Sequence, residues 1–155
     1  MKIITHSVKE TMNVGRLIAK VLRPGSIVCL FGQLGSGKTV LTKGIAEGLG
    51  INQDEIISPT FVLMRQHQGR MPLHHFDLYR LDNQQEIAGL GSEEFLFADG
   101  VSVIEWAQRL SDCAPAEYLG VTLAIISKES RRLNFVAVGK QYKKAAQTIY
   151  ETYRH

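Results

Sequence analysis

One run of eight residues, Gly32-Gln33-Leu34-Gly35-Ser36-Gly37-Lys38-Thr39, constrains this chain more than any other stretch. It lies between the apolar segment Ile27-Val28-Cys29-Leu30-Phe31 and an amphipathic stretch that begins near Val40. Gly, four residues, Gly, Lys, then Ser or Thr is the pattern of a loop that wraps phosphates between a strand and a helix. Its glycines let consecutive N–H groups turn inward and come close to an anion. The helix expected from Lys38 to Leu49 aims its positive end at the same point. Lys38 adds a full charge toward the β and γ phosphates, and the Thr39 hydroxyl is placed to ligate magnesium. The expected nucleotide contacts are therefore Gln33, Leu34, Gly35, Ser36, Gly37, Lys38, Thr39 and Val40, and the expected ligands are ATP or ADP with Mg2+.

Composition agrees with one soluble domain spanning residues 1–155. With 155 residues, 45% of them apolar and 21% charged, the chain can bury about two-thirds of its unfolded surface. The first residues carry no apolar core of a secretory signal, and no apolar run approaches the ~18 residues of a membrane helix, so a cytoplasmic location is expected. Cys29 sits in an apolar run and Cys113 in a polar one, far apart, and neither spacing suggests a disulfide or a zinc site. Charge is uneven. Lys128 to His155 holds seven basic residues against two acidic ones, +5, which leaves −2 for residues 1–127 of a chain whose total is +3. A solvated helix face accounts for such a run more readily than a docking surface for RNA or an acidic partner.

Ser7-Val8-Lys9-Glu10 has the spacing of a capping box, and Val14, Leu17, Ile18, Val21 and Leu22 follow at helical intervals, which predicts a helix over 8–22 closed by Arg23-Pro24-Gly25. A strand over 26–31, the loop and the helix to Leu49 come next. Pro59 breaks the apolar stretch 56–64, so Ser58 to Thr60 reads as a loop and Phe61 to His67 as a strand. Gln68-Gly69 turns that strand into a second one, Pro72 to Tyr79. Asp82 caps a helix expected to reach Leu90. Val101 to Trp106 reads as a buried strand followed by a polar linker containing Pro115. Strands over 118–126 and 131–138 form a hairpin, and a helix runs from Lys140 to Tyr153. The fold class is α/β: a three-layer sandwich like that of P-loop nucleotide hydrolases, with a largely parallel sheet and antiparallel hairpin additions.

A phosphate loop needs an acid beyond Thr39 to complete a magnesium site, normally at the end of a neighbouring hydrophobic strand. Glu105 ends Val101-Ser102-Val103-Ile104, where a charge leaving a buried strand is costly without a cation. Asp77, in His74-His75-Phe76-Asp77-Leu78-Tyr79-Arg80, is a second candidate, against a surface pair with Arg80. Thr60 is a third, a hydroxyl on a proline-stiffened loop that could reach the γ-phosphate or a magnesium-bound water. Trp106, the single tryptophan, would point away from Glu105 on a regular strand and so into core. His74 and His75 lack spaced partners for a metal site and read as core or surface histidines.

The ordered set Gly32–Thr39, Ser58-Pro59-Thr60-Phe61, His75-Phe76-Asp77-Leu78-Tyr79-Arg80-Leu81 and Val103-Ile104-Glu105-Trp106 resembles the TsaE family, also called YjeE, of small bacterial P-loop ATPases. The match spans about Gly32 to Trp106. The resemblance implies work in making threonylcarbamoyladenosine on the tRNA adenosine beside the anticodon, together with a TsaB–TsaD pair, with ATP hydrolysis resetting the complex. It also implies roles: Lys38 and Thr39 hold phosphate and magnesium, Glu105 ligates magnesium, Asp77 assists the metal or the water, Thr60 sits in a switch-like loop, and Trp106 lies beside the site. Lys38, Asp77 and Glu105 thus form the expected catalytic set, and Thr39 and Glu105 the metal ligands. This chain has Gln33 where the family usually has an acid, and Ser36 where it usually has Ala.

Two other functions use the same features. A small-molecule kinase would need an acceptor pocket and an Arg-bearing lid, for which the 65–80 hairpin is the only stand-in. A nucleotide-gated RNA-binding module would use Lys140, Lys143 and Lys144 for affinity, directly or as part of a tRNA contact.

Overall fold

The computed structural model describes residues 1–58, 63–81, 85–86 and 95–155. Its centre is β2 (Ile27–Phe31), whose unbroken apolar run marks a strand covered on both faces. Parallel neighbours flank it: β5 (Val101–Glu105) on one side and β6 (Tyr118–Ile125) on the other. β4 (Leu73–Asp77) continues the parallel run beyond β5, and β3 (Met64–His67) closes that edge as the antiparallel arm of the expected hairpin. On the far side β7 (Arg131–Val138) pairs antiparallel with β6, and β1 (Lys2–Thr5) with β7. The order is β1-β7-β6-β2-β5-β4-β3. β1 is an element the sequence did not announce, because its four residues show too short an alternation to stand out without the β7 edge that receives them.

Helix α1 (Val8–Val21) starts where the capping box predicts: Ser7 Oγ accepts from Glu10 N at 3.1 Å, while Glu10 Oε2 accepts from His6 N at 2.7 Å. It crosses α2 (Lys38–Gly48) so closely that a Cβ on Gly44 would lie 2.2 Å from Met12 O. The third helix, α3 (Lys140–Arg154), docks through Tyr142, Ala146 and Ile149, and the Tyr142 hydroxyl accepts from Ile27 N at 2.9 Å. All three pack on one face of the sheet, over Val28, Leu30, Leu73, Val103, Val121 and Leu133. On the other face Ile27, Cys29, Phe76, Phe95, Ile104 and Leu110 form a smaller core. The 3₁₀ turns of Ala107–Cys113 cover it, where a polar linker was expected: Ala107 and Leu110 face the sheet while polar neighbours face out. The helix predicted from Asp82 to Leu90 lies outside the described residues apart from Gln85 and Glu86, which are helical.

This layering places the C-terminal ends of β2, β4 and β5 along one rim of the sheet, with the first turn of α2 above them. Ligands of open α/β sheets bind at such a rim.

Candidate functional site

The loop between β2 and α2 is shaped by its glycines. A Cβ on Gly32 would stand 2.6 Å from Ser36 Oγ and 2.7 Å from Leu123 O, so no larger residue fits there. Gly37, at φ 101°, turns the chain into α2 as its N-cap and offers no side-chain cap, and no acidic residue stands in the first turn. The first amides of α2 have no intrahelical acceptor. The loop therefore leads into free amides at the positive end of a helix, an arrangement that receives anions.

Lys38, only 5% exposed, folds back over this loop. Its Nζ donates to Gly32 O at 2.7 Å, Gln33 O at 2.8 Å and Ser36 Oγ at 3.3 Å, and lies 4.2 Å from the centre of the Trp106 ring. Burial pulls its ammonium below the ordinary lysine value, while the carboxylates of Glu105 and Asp77 push it back up. Gln33, Leu34 and Gly35 are exposed at the loop tip, Ser36 is buried beneath it, and Val40 lines the mouth.

The acids come from two adjacent strands in register. Asp77 is paired with Glu105, His75 with Val103 and Leu73 with Val101. Strand alternation sends Leu73, His75 and Asp77, and likewise Val101, Val103 and Glu105, to the face beneath α2. That face is apolar at the start of both strands and polar at their ends. Glu105 is 2% exposed and does not stand alone. Its Oε1 accepts from Thr39 Oγ1 at 2.8 Å, and its Oε2 is hydrogen-bonded to His75 Nε2, with Thr42 Oγ1 3.4 Å away. Asp77, also buried, accepts from Ser58 Oγ through Oδ2 and from Tyr79 N through Oδ1 at 2.9 Å. The loop, Thr39, Ser58, the two acids, Tyr79, Trp106 and Arg131 enclose a cavity of about 450 Å³. Its oxygen donors, hydroxyls and two carboxylates, are of the hard type that suits magnesium rather than zinc or copper.

Trp106 lines the cavity, beside the loop, but departs from regular strand geometry. At φ 59° and ψ 40° it occupies the left-handed region, which ends the strand and turns the half-buried indole back over Lys38 and against Tyr79, ring centres 4.8 Å apart, while it also packs against the smaller core. A bulky residue held there is strained, and such strain concentrates at functional sites. The histidine pair is also resolved by alternation. His74 stacks on Phe97 at 3.6 Å on the opposite face, where burial lowers its pKa, whereas fully buried His75 joins the site. Once Asp77 was a candidate, the i, i+2 relation could have singled out His75.

Sequence reasoning also missed Arg131, the first residue of β7. Its Nε donates to Ser36 O at 3.1 Å and its Nη2 to Gly35 O at 3.2 Å, while Nη1 binds carbonyls of the β6–β7 turn, among them Ser127 O at 2.9 Å. It belongs to the loop and not to the basic tail. Thr60 lies outside the described residues. The Lys140, Lys143 and Lys144 side chains are exposed on α3, and no described helix is long and apolar enough to cross a membrane.

Comparison with known proteins adds a family to this geometry. Residues 5–133 match a family model described as threonylcarbamoyl adenosine biosynthesis protein TsaE. Proteins named tRNA threonylcarbamoyladenosine biosynthesis protein TsaE are similar over most of the chain. The one from Treponema pallidum is 37% identical, covering 86% of this chain and 98% of the relative, and the one from Bacillus subtilis is 37% identical, covering 90% and 87%. The crystal structure of YdiB from Bacillus subtilis superposes with a TM-score of 0.81 at 32% identity, covering 98% of this chain and 95% of that one.

Proposed function

The chain belongs to the TsaE family of threonylcarbamoyl adenosine biosynthesis proteins, and from that premise we propose that it serves tRNA threonylcarbamoyladenosine formation as a magnesium-dependent ATPase acting with TsaB and TsaD. The observation that carries the ATPase reading is the contact of Thr39 Oγ1 with Glu105 Oε1 at 2.8 Å, which brings the hydroxyl of the phosphate loop onto a strand-end acid. In such sites the loop hydroxyl and the strand acid share one metal.

Each residue then has a task. Amides of the loop and the first turn of α2 receive the β and γ phosphates, and Lys38 moves from the loop carbonyls to their charge. Thr39 and Glu105 are the residues that would hold magnesium, which when bound would neutralise phosphate charge. Asp77, one strand over and held at both oxygens, is positioned to orient the water and take its proton. Trp106 and Tyr79 cover the site and limit water near Lys38.

ATP turnover by the purified protein, with and without TsaB and TsaD, tests this reading. Turnover should rise with the partners and fall by about 10²-fold or more in Lys38→Ala and Glu105→Ala. Undiminished turnover in both variants overturns it. The kinase alternative loses its lid, since the β3–β4 hairpin is hydrogen-bonded into the sheet edge. A direct RNA contact through Lys140, Lys143 and Lys144 keeps one supporting observation, their exposure on α3. Charge reversal at the three should weaken tRNA association and flatten its salt dependence, and unchanged association removes that contact.

A further inference from the structure

We propose that His75 is a positioning residue: it holds Glu105 by Oε2 so that Oε1, which accepts from the Thr39 hydroxyl, keeps its orientation when the site takes up a metal. This rests on the reading of Glu105 as a metal-facing acid. Glu105 is 2% exposed, so its oxygens depend on protein donors. Oε1 has the Thr39 hydroxyl at 2.8 Å, which carries one proton. Thr39 can turn a lone pair to a metal and still donate this proton to Oε1, whose other lone pair then faces the same ion.

Oε2 must then hold the side chain in place, and two groups stand near it. The Thr42 hydroxyl also has one proton, and Lys38 O, which can only accept, takes it at 2.9 Å; Glu105 Oε2 is farther, at 3.4 Å. His75 Nε2 is thus the one committed donor to Oε2 among the described residues. Its ring is fully buried on β4, two residues before Asp77 and across from Val103, so its place is fixed by the sheet and not by the ligand. Among the described residues Nδ1 has no hydrogen-bond partner, and the ring's polar contact is with Glu105. A buried imidazole tied to one carboxylate oxygen orients the other, as outer-shell partners of metal ligands do.

The test is a magnesium titration of the complex with the fluorescent nucleotide mant-ADP, in wild type, His75→Leu and His75→Gln, beside mant-ADP affinity in EDTA. His75→Leu keeps the apolar bulk and loses the donor. Its magnesium affinity should fall by about 10- to 100-fold with metal-free mant-ADP affinity unchanged, and the amide of His75→Gln should recover most of the loss. Wild-type magnesium affinity in His75→Leu, or an equal loss of nucleotide affinity with and without metal, overturns the inference. Magnesium-independent binding by the wild type contradicts the reading of the site itself. Should His75→Leu fail to fold, ¹⁵N-imidazole NMR of the wild type decides: a solvent-protected Nε2–H of His75 persists when magnesium and ADP are added, and its loss overturns the proposal.

Discussion

Thr39 Oγ1 donates to Glu105 Oε1 at 2.8 Å, joining the first turn of α2 to the last residue of β5. The two residues are 66 apart in sequence, and β5 lies beside β2 because the sheet order inserts it there. The contact makes the loop and the strand end one unit.

Arg131 ties the loop to the β6–β7 turn through carbonyls on both sides. A lysine has the charge but not the planar fork, so Arg131→Lys cannot hold both. Nucleotide affinity is expected to fall by about 10-fold, a loss of the order of one charge-assisted hydrogen bond, and hydrogen exchange at Gly35 to Gly37 to speed up. Unchanged exchange in that segment contradicts a tethering role.

The indole of Trp106 lies 4.2 Å from Lys38 Nζ, and the chain has no other tryptophan. Moving the ammonium toward phosphate changes the field on the ring. Adding ADP should therefore shift the emission of the wild type and leave Lys38→Ala unchanged at nucleotide concentrations that saturate the wild type. Trp106→Phe should lower affinity while melting within a few degrees of the wild type.

Burial raises the Tyr142 hydroxyl above the ordinary tyrosine value, although the hydrogen bond from Ile27 N favours its ionised form. Because the folded value is the higher one, its contribution to stability is complete below about pH 10 and is lost as pH rises beyond that. Urea melts should show a decline above pH 10 that Tyr142→Phe makes shallower. At pH 7 the same variant leaves Ile27 N unpaired in the core, which should cost about 1–3 kcal/mol. A variant as stable as wild type at pH 7 contradicts the packing of α3 described above.

The Cys29 thiol, buried in β2, is pushed up to about 12, whereas Cys113 is partly exposed on the 3₁₀ turns. A thiol-directed reagent at pH 8 should label Cys113 promptly and Cys29 at the rate of unfolding. Equal rates at both would place Cys29 outside the core.

Much of this was legible in sequence because it is local. The capping box, the glycine pattern, the apolar run of β2 and the acid after Ile104 are each written within a few residues, and each sits where local physics puts it. What was hidden depends on pairing at a distance. β1 is a strand only because β7 offers an edge; Arg131 matters because β7 ends beside the loop; the Trp106 ring turns inward because the backbone leaves the strand geometry that alternation assumes. His75 lies between, since its face follows from alternation but its partner follows only from the order of the strands.

We propose that the loop, Thr39 and Glu105 hold a nucleotide together with its metal. A mant-ADP titration with and without magnesium, in wild type and Glu105→Gln, tests it most directly. Tight binding by the wild type that magnesium strengthens is expected, together with binding by Glu105→Gln that survives while losing most of its magnesium dependence. No binding by the wild type, or equal magnesium dependence in both proteins, would contradict it.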